Sequence, residues 1–276
     1  MRSTPPSADL AAEVRAFFGA LAIGAGQAMA GWPVLLGRCV FYVLIMLVIS
    51  ALWDRVAAER LPGTLAHALP AGGLALYVGV TEWITLSLPH LHLRFEDDIR
   101  RGGLEPHLLR PKSYLFHTLA LSLGGALVRL AALGATGIAM LIVSGREGPP
   151  LGVFAGLLLV GVLALAVGVL LYALAGLSAF WAKRTLPFQL VVQKLMFLLG
   201  GLFAPISLYP TMLREVGEAS PFAAHLYWAG VQALEPSLAG FVTALGWQLF
   251  WIVLLTLLCL ALWRAGLAKV LREGGA

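Results

Sequence analysis

Charged residues are scarce in this chain: only 12% of its 276 residues are Asp, Glu, Lys or Arg. Soluble globular proteins contain about 25% charged residues. Hydrophobic residues make up 60% of the chain and its mean hydropathy is +0.88, so there is too little polar surface to enclose a core of this size in water. The composition therefore excludes an ordinary soluble domain and predicts a protein that is solvated in part by lipid.

Cysteine is almost absent as well. Cys39 and Cys259 both lie in apolar stretches, so we interpret them as small buried residues and not as a disulfide pair. Glycine is abundant, with 31 residues, and Gly161, Gly168 and Ala175 recur at intervals of seven. Small residues at such spacing let neighbouring helices approach closely, so this pattern predicts packing within a membrane bundle.

Two motifs that carry nucleotide or metal chemistry are also missing. The chain has no Gly-Lys dipeptide, hence no phosphate-binding G-x-x-x-x-G-K-[ST] loop, and it has no H-E-x-x-H zinc motif. We therefore predict no catalytic, cofactor-binding or metal site on this chain. One polar cluster lacks any recognised metal-ligand spacing and is interpreted as surface groups: His90, His92, Glu96, Asp97 and Asp98.

Long apolar stretches are what the sequence does contain. A membrane helix needs about 20 apolar residues, and none of these stretches alternates polar with apolar residues as a membrane strand does. The sequence thus predicts one all-α, polytopic membrane domain with six transmembrane helices. The six stretches cover approximately residues 33–53, 70–90, 118–144, 151–180, 187–207 and 239–263.

The distribution of Lys and Arg predicts the orientation of these helices, because cytoplasmic loops are enriched in both. With both termini in the cytoplasm, twelve of the nineteen lie on the cytoplasmic side and four outside. The twelve are Arg2, Arg15, Arg94, Arg100, Arg101, Arg110, Lys112, Lys183, Arg184, Arg264, Lys269 and Arg272. The four are Arg55, Arg60, Arg146 and Arg214.

The first 30 residues leave two interpretations open. Apolar residues at helical spacing predict an amphipathic helix that lies on the inner membrane face; they are Leu10, Val14, Phe17, Phe18 and Leu21. The alternative is a cleaved signal peptide that ends at Ala28-Met29-Ala30.

One cytoplasmic connection, residues 91–112, separates the second and third spans. Leu91, Phe95 and Ile99 recur every four residues, which predicts a short helix with one apolar stripe, and Gly102-Gly103 ends it. The plainest interpretation is a solvated turn between membrane helices.

The end of this connection carries a recognisable motif. Residues 99–105 read IRRGGLE and residues 108–111 read LLRP. This spacing resembles that of bacterial ABC-2 type transporter permeases, the six-span membrane subunits of type V ABC exporters, and the similarity extends over the whole chain.

The resemblance implies that two copies, or two related chains, dock onto a pair of separate ATPase subunits that bind ATP and Mg²⁺. It also implies that the short helix acts as a coupling helix in a groove of the ATPase. Phe95, Ile99 and Leu104 would supply the apolar contact. The residues implied in coupling are Phe95, Glu96, Asp97, Asp98, Ile99, Arg100, Arg101, Gly102, Gly103, Leu104, Glu105 and Arg110.

The outer segment, residues 208–237, contains two short helical stretches that begin near Pro210 and Pro221. The resemblance implies short re-entrant helices here. Four residues of the second stretch are predicted to lie at the lipid headgroups: Phe222, Leu226, Tyr227 and Trp228. The alternative to re-entrant helices is an interfacial loop with aromatic anchors.

Charged residues within the spans are costly and therefore informative. Glu82, Arg129 and Lys194 lie at similar depths, which predicts an ion pair of Glu82 with Arg129 or with Lys194. A polar patch along a substrate path is the alternative. Arg38 lies near the inner end of its span and can extend to the interface.

The favoured function is therefore the permease of an ATP-driven exporter in the bacterial inner membrane, which exports a small amphipathic, peptide or lipid-like molecule. Two other classes stay open. One is a six-span membrane enzyme that acts on lipid, with Glu82 or the His90/His92 pair as its acid–base group, and the other is a secondary carrier.

Overall fold

The computed structural model describes residues 10–58, 73–100, 114–145 and 150–272. Over these ranges the chain is helical, with two 3₁₀ turns at Ser178–Phe180 and Ile206–Leu208 and no strand. The described helices are α1 (Leu10–Ala30), α2 (Trp32–Ala58), α3 (Gly73–Ser87), α4 (Leu91–Arg100), α5 (Tyr114–Val143), α6 (Leu151–Leu177), α7 (Leu186–Leu199), α8 (Thr211–Glu218), α9 (Pro221–His225), α10 (Tyr227–Leu234) and α11 (Leu238–Arg272).

Four of the described helices are long and apolar enough to cross a membrane: α2, α5, α6 and α11. The prediction of an all-α, polytopic membrane protein is confirmed. The helices α3 and α7 correspond to the second and fifth predicted spans, and both end earlier than predicted, at Ser87 and Leu199.

The helix α7 ends at Leu199, so the predicted span over 187–207 is wrong in its second half. Its 14 residues extend about 21 Å, less than the roughly 30 Å of a bilayer core. The chain turns at Gly201, whose φ of 65° favours glycine. The turn is fixed to α3, because Tyr77 Oη donates to Gly201 O at 2.7 Å and Thr81 Oγ1 to Leu202 O at 2.8 Å.

The helix α6 lies at the centre of the bundle, and its small residues hold rings from other elements. A Cβ at Gly161 would contact the ring of Trp83 from α3, and one at Gly168 the ring of His225 from α9. A Cβ at Gly176 would contact Phe95 from α4. The packing role predicted for Gly161 and Gly168 is confirmed.

The segment from α9 to α10 folds back into the bundle. His225 is fully buried, and its Nδ1 lies 2.7 Å from the carbonyl oxygen of Ala164, midway along α6. Leu226 is also fully buried and Tyr227 is only 5% exposed, so placing these two at the headgroups is wrong. Their burial favours the re-entrant arrangement that the resemblance implies.

The helix α1 packs against α5 through small residues. Gly24 contacts the backbone of Leu121, Gly124 contacts the backbone of Leu21, and Ala20 is buried between them. Val14 and Phe18 from the predicted apolar stripe are exposed. The packed face of α1 is therefore its small-residue face, which the sequence analysis missed, and the location of α1 on the inner membrane face stays a prediction.

Substitution of Gly24 by Leu tests this packing, because the new side chain would occupy the position of the Leu121 backbone. We expect Gly24→Leu to lower the free energy of unfolding in detergent by about 1–3 kcal/mol, the usual cost of overpacking. Gly26→Leu is the matched control, since a Cβ at Gly26 meets open space. Equal stabilities for the two variants would contradict the packing of α1 on α5.

Candidate functional site

The helix α4 is anchored to the bundle by its own apolar residues. Leu91, His92 and Phe95 are at most 3% exposed. The ring of Phe95 lies over Gly176 of α6 and meets the ring of Tyr114 edge-on, with centroids 6.1 Å apart. The apolar stripe predicted from the sequence therefore exists, but it faces this chain's own membrane helices.

This orientation corrects the expected role of Phe95. Because its side chain is fully buried within the chain, Phe95 cannot supply the apolar contact to an ATPase. Ile99 is also partly buried against the core, and Leu104 lies outside the described residues. A short amphipathic helix has one apolar stripe. In α4 this stripe is buried against α6, so it is not available to a partner protein.

Polar side chains tie α4 to the connection between α6 and α7. The backbone N–H and the hydroxyl of Thr185 both donate to Glu96 Oε2 at 2.7 Å. Arg100 donates to the carbonyl oxygen of Lys183. These three hydrogen bonds attach α4 to residues 178–185. The two bonds from Thr185 also hold the pKa of Glu96 below its usual value.

A third polar contact joins α4 to the start of α5, where the hydroxyl of Tyr114 donates to Asp98. Asp98 also lies 4.0 Å from Arg94. Three charged side chains of α4, those of Glu96, Asp98 and Arg100, therefore bind partners within the chain.

The outward surface of α4 consists of the remaining residues. Leu93 is 49% exposed, and Arg94, Asp97 and Arg100 are exposed around it. Of the residues implied in coupling, Asp97 and Arg100 thus lie on the outward surface, and Phe95, Glu96, Asp98 and Ile99 are partly or fully buried. Leu93 and Arg94 were not in the predicted set. The others lie outside the described residues: Arg101, Gly102, Gly103, Leu104, Glu105 and Arg110.

Two arginines hold the end of α3, where the chain turns into α4. Pro89 stops the helix, and the last carbonyl groups of α3 then lack helical donors. Arg38 from α2 donates to the carbonyl oxygens of Leu86 and, at 3.4 Å, Leu88. Arg129 from α5 donates through Nε to the carbonyl oxygen of Ser87 at 2.9 Å. We call this arrangement the arginine clamp.

The clamp replaces the ion pair that the sequence predicted. Glu82 is 6% exposed, and among the described residues it forms no salt bridge with Arg129 or with Lys194. Lys194 is exposed on α7, with its Nζ 5.5 Å from the ring centroid of Phe197. The predicted pairing within one chain is therefore wrong, and the alternative of a polar path stays open.

The interpretation of the histidine and acidic cluster as surface groups also needs correction. His92 is 3% exposed, and its ring centroid lies 6.2 Å from that of Tyr172. Glu96 binds Thr185, and only His90 and Asp97 are exposed. In the described part of the chain, no three His, Cys, Asp or Glu side chains come together in a way that could hold a metal ion.

These features define a class of protein: an α-helical membrane protein with several helices long enough to cross a bilayer. In the connection between α3 and α5 it carries a short helix, α4, that is anchored to the bundle. A family model described as ABC-2 family transporter protein matches residues 74–274. The chain belongs to this family, whose members are membrane subunits of ABC transporters and work with an ABC ATPase subunit. Membership indicates a transport subunit and not a catalytic enzyme. No curated protein matches the chain.

Phe95 and Leu93 are apolar residues on opposite sides of α4, one buried and one exposed, so a matched pair of substitutions tests the orientation of the helix. We expect Phe95→Ala to lower the free energy of unfolding by about 3–5 kcal/mol, because it removes a fully buried ring. Leu93→Ala, at an exposed position, should leave stability within about 0.5 kcal/mol of the original protein. Equilibrium unfolding in detergent measures both, and a loss at Leu93 that equals the loss at Phe95 would contradict this orientation of α4.

The bond between Glu96 and Thr185 predicts a pH dependence. A carboxyl group whose pKa is lowered on folding stabilises the protein above its unfolded pKa of about 4.3, and this stabilisation is lost as the pH falls through the lowered value. We therefore expect the original protein to lose more stability between pH 6 and pH 3 than Glu96→Gln does. If the two lose the same amount, the carboxylate of Glu96 is not held by Thr185.

Proposed function

We propose that this chain is the transmembrane subunit of an ATP-driven exporter and that α4 is its coupling helix. Two copies, or this chain and a related one, would dock onto a pair of ATPase subunits that bind ATP and Mg²⁺. The substrate would be a small amphipathic, peptide or lipid-like molecule that leaves the cytoplasm. The observation that carries the proposal is the rigid anchoring of α4 with Leu93, Arg94 and Asp97 turned outward.

Rigidity is what a coupling element requires, because a push at one end must move the other end without bending the connection. The helix α4 is attached to α6 by Phe95, to residues 178–185 by Glu96 and Arg100, and to α5 by Asp98. The arginine clamp fixes the end of α3, three residues before α4 begins. A force on the outward surface of α4 would therefore reach α3, α5 and α6 together.

The side on which α4 lies supports a cytoplasmic ATPase. The connection that contains α4 and the connection at residues 178–185 are both rich in Lys and Arg, as cytoplasmic loops are. This distribution favours cytoplasmic termini and insertion in a bacterial inner membrane. A Lys or Arg in the middle of a lipid-facing helix costs roughly 2.5–3.5 kcal/mol. The exposed Lys194 on α7 therefore favours a second membrane subunit or a polar path at that face.

The absence of a nucleotide-binding loop supports a separate ATPase, which gene neighbourhood can identify. Co-expression with that subunit then tests the role of α4. We expect Leu93→Asp to reduce ATPase association at least about tenfold, because it places a charge at the centre of an apolar contact. Val216→Asp is the matched control, since Val216 is a comparably exposed apolar residue on α8, in the outer segment.

Association is measured by co-purification of the two subunits, with ATP hydrolysis as the second readout. The proposal is wrong if Leu93→Asp leaves association and stimulated hydrolysis unchanged, or if Val216→Asp weakens association as strongly. ATP hydrolysis by the isolated chain would also contradict it.

A further inference from the structure

A cleft of about 550 Å³ opens between α2, α7 and the link from α3 to α4. Neither the arginine clamp nor the contacts of α4 account for it. Its polar lining includes Arg38, His90 and Gln193, and Gly37 and Phe41 of α2 belong to its apolar lining. Val34 of α2 lines the cleft and is exposed, and Leu190 of α7, next in sequence to the lining residue Gln189, is exposed as well.

Arg38 has unused hydrogen-bond donors beside this cleft. A guanidinium group carries five N–H donors. Both bonds of the Arg38 guanidinium to α3 use the same nitrogen, Nη1. Nε and Nη2 have no protein partner in the described part of the chain, and they form the edge that binds an oxyanion with two parallel hydrogen bonds.

The charge around Arg38 is unbalanced as well. Arg38 binds the carbonyl oxygens of Leu86 and Leu88 and Arg129 binds that of Ser87, so the two guanidinium groups lie close together. Within the described ranges, no carboxylate forms a salt bridge with either arginine. One nitrogen of Arg129, Nη2, is buried and has no hydrogen-bond partner in those ranges. Two neighbouring cations without an anion are costly, so an external anion would relieve the repulsion.

We propose that this cleft binds an anionic amphiphile: its phosphate headgroup contacts Arg38, and its acyl chains lie along the apolar faces of α2 and α7. The ligand comes from the membrane leaflet on the α4 side. Gln193 and His90 provide further hydrogen bonds to the headgroup. A free anion would use only the polar half of the cleft, whereas an amphiphile uses both halves.

Binding at this position acts on the arginine clamp. The anion neutralises charge on Arg38 while Arg38 holds the end of α3, so the occupied cleft strengthens the joint between α3 and α4. The site is thus connected to α4 by a single side chain.

Gly37 allows a test that leaves Arg38 in place. A Cβ at Gly37 meets open space and Gly37 lines the cleft, so we expect the ring of Gly37→Phe to occupy the cleft while the protein still folds. Gly246→Phe on α11 is the matched control, because a Cβ there also meets open space and Gly246 does not line the cleft. Arg38→Gln is a second variant, which removes the charge.

The experiment titrates the purified full chain in neutral detergent with phosphatidylglycerol or with phosphatidylcholine and counts bound lipid by native mass spectrometry. We expect phosphatidylglycerol to bind at least about tenfold more tightly than phosphatidylcholine. Gly37→Phe and Arg38→Gln should each remove this preference, and Gly246→Phe should keep it. The inference is overturned if the two lipids bind equally, or if Gly37→Phe binds phosphatidylglycerol as the original protein does.

The source of the amphiphile is decided in vesicles that contain the chain and its ATPase. If ATP moves labelled phosphatidylglycerol to the opposite leaflet, the ligand belongs to the transported class, and if it does not, the ligand is a resident lipid. Either result agrees with an anionic amphiphile in the cleft. Because the titration contains no ATPase, its failure would refute the cleft as a lipid site without bearing on the coupling role of α4.

Discussion

The requirement that buried carbonyl groups find donors governs the functional end of this molecule. The helix α3 ends at Ser87, two residues before Pro89, and Ser87 is fully buried, so the last carbonyl groups of α3 need donors from other elements. Arg38 and Arg129 satisfy the last carbonyl groups from two other helices. The hydrogen bonds of these two arginines also connect α2 and α5 to the end of α3, just before α4 begins. The position of α4 therefore depends on them.

A second constraint is the close packing of helices in lipid, and the glycines of α6 satisfy it. Helices in lipid gain little from hydrophobic burial against one another, so close packing has to hold them together. Gly161, Gly168 and Gly176 each leave space for one ring, from α3, α9 and α4 in turn. The same helix therefore positions a span, the re-entrant segment and the outward helix. In the proposed function, α6 is therefore the element through which a movement of α4 would reach α3 and α9.

Sequence periodicity was sufficient to predict the helices and the apolar stripe of α4, because both depend on residues that are close in the sequence. It could not assign the partner of that stripe, since a short amphipathic helix can bury one face against its own chain or against another. The clamp was missed because Arg129 was paired with Glu82 by depth, whereas backbone carbonyls carry no signal in a sequence. The early end of α7 had one visible signal, the Gly200–Gly201 pair, and the apolar residues that follow concealed it.

In the proposed function, the ATPase contacts this chain at the outward surface of α4. A cysteine crosslink measures that proximity directly, in a background where Cys39 and Cys259 are replaced by alanine. With Leu93→Cys, the account predicts a crosslinked product with the ATPase subunit whose yield changes when ATP is added. Met212→Cys on α8, which is even more exposed, should give none. A crosslink from Met212→Cys but not from Leu93→Cys would contradict the account.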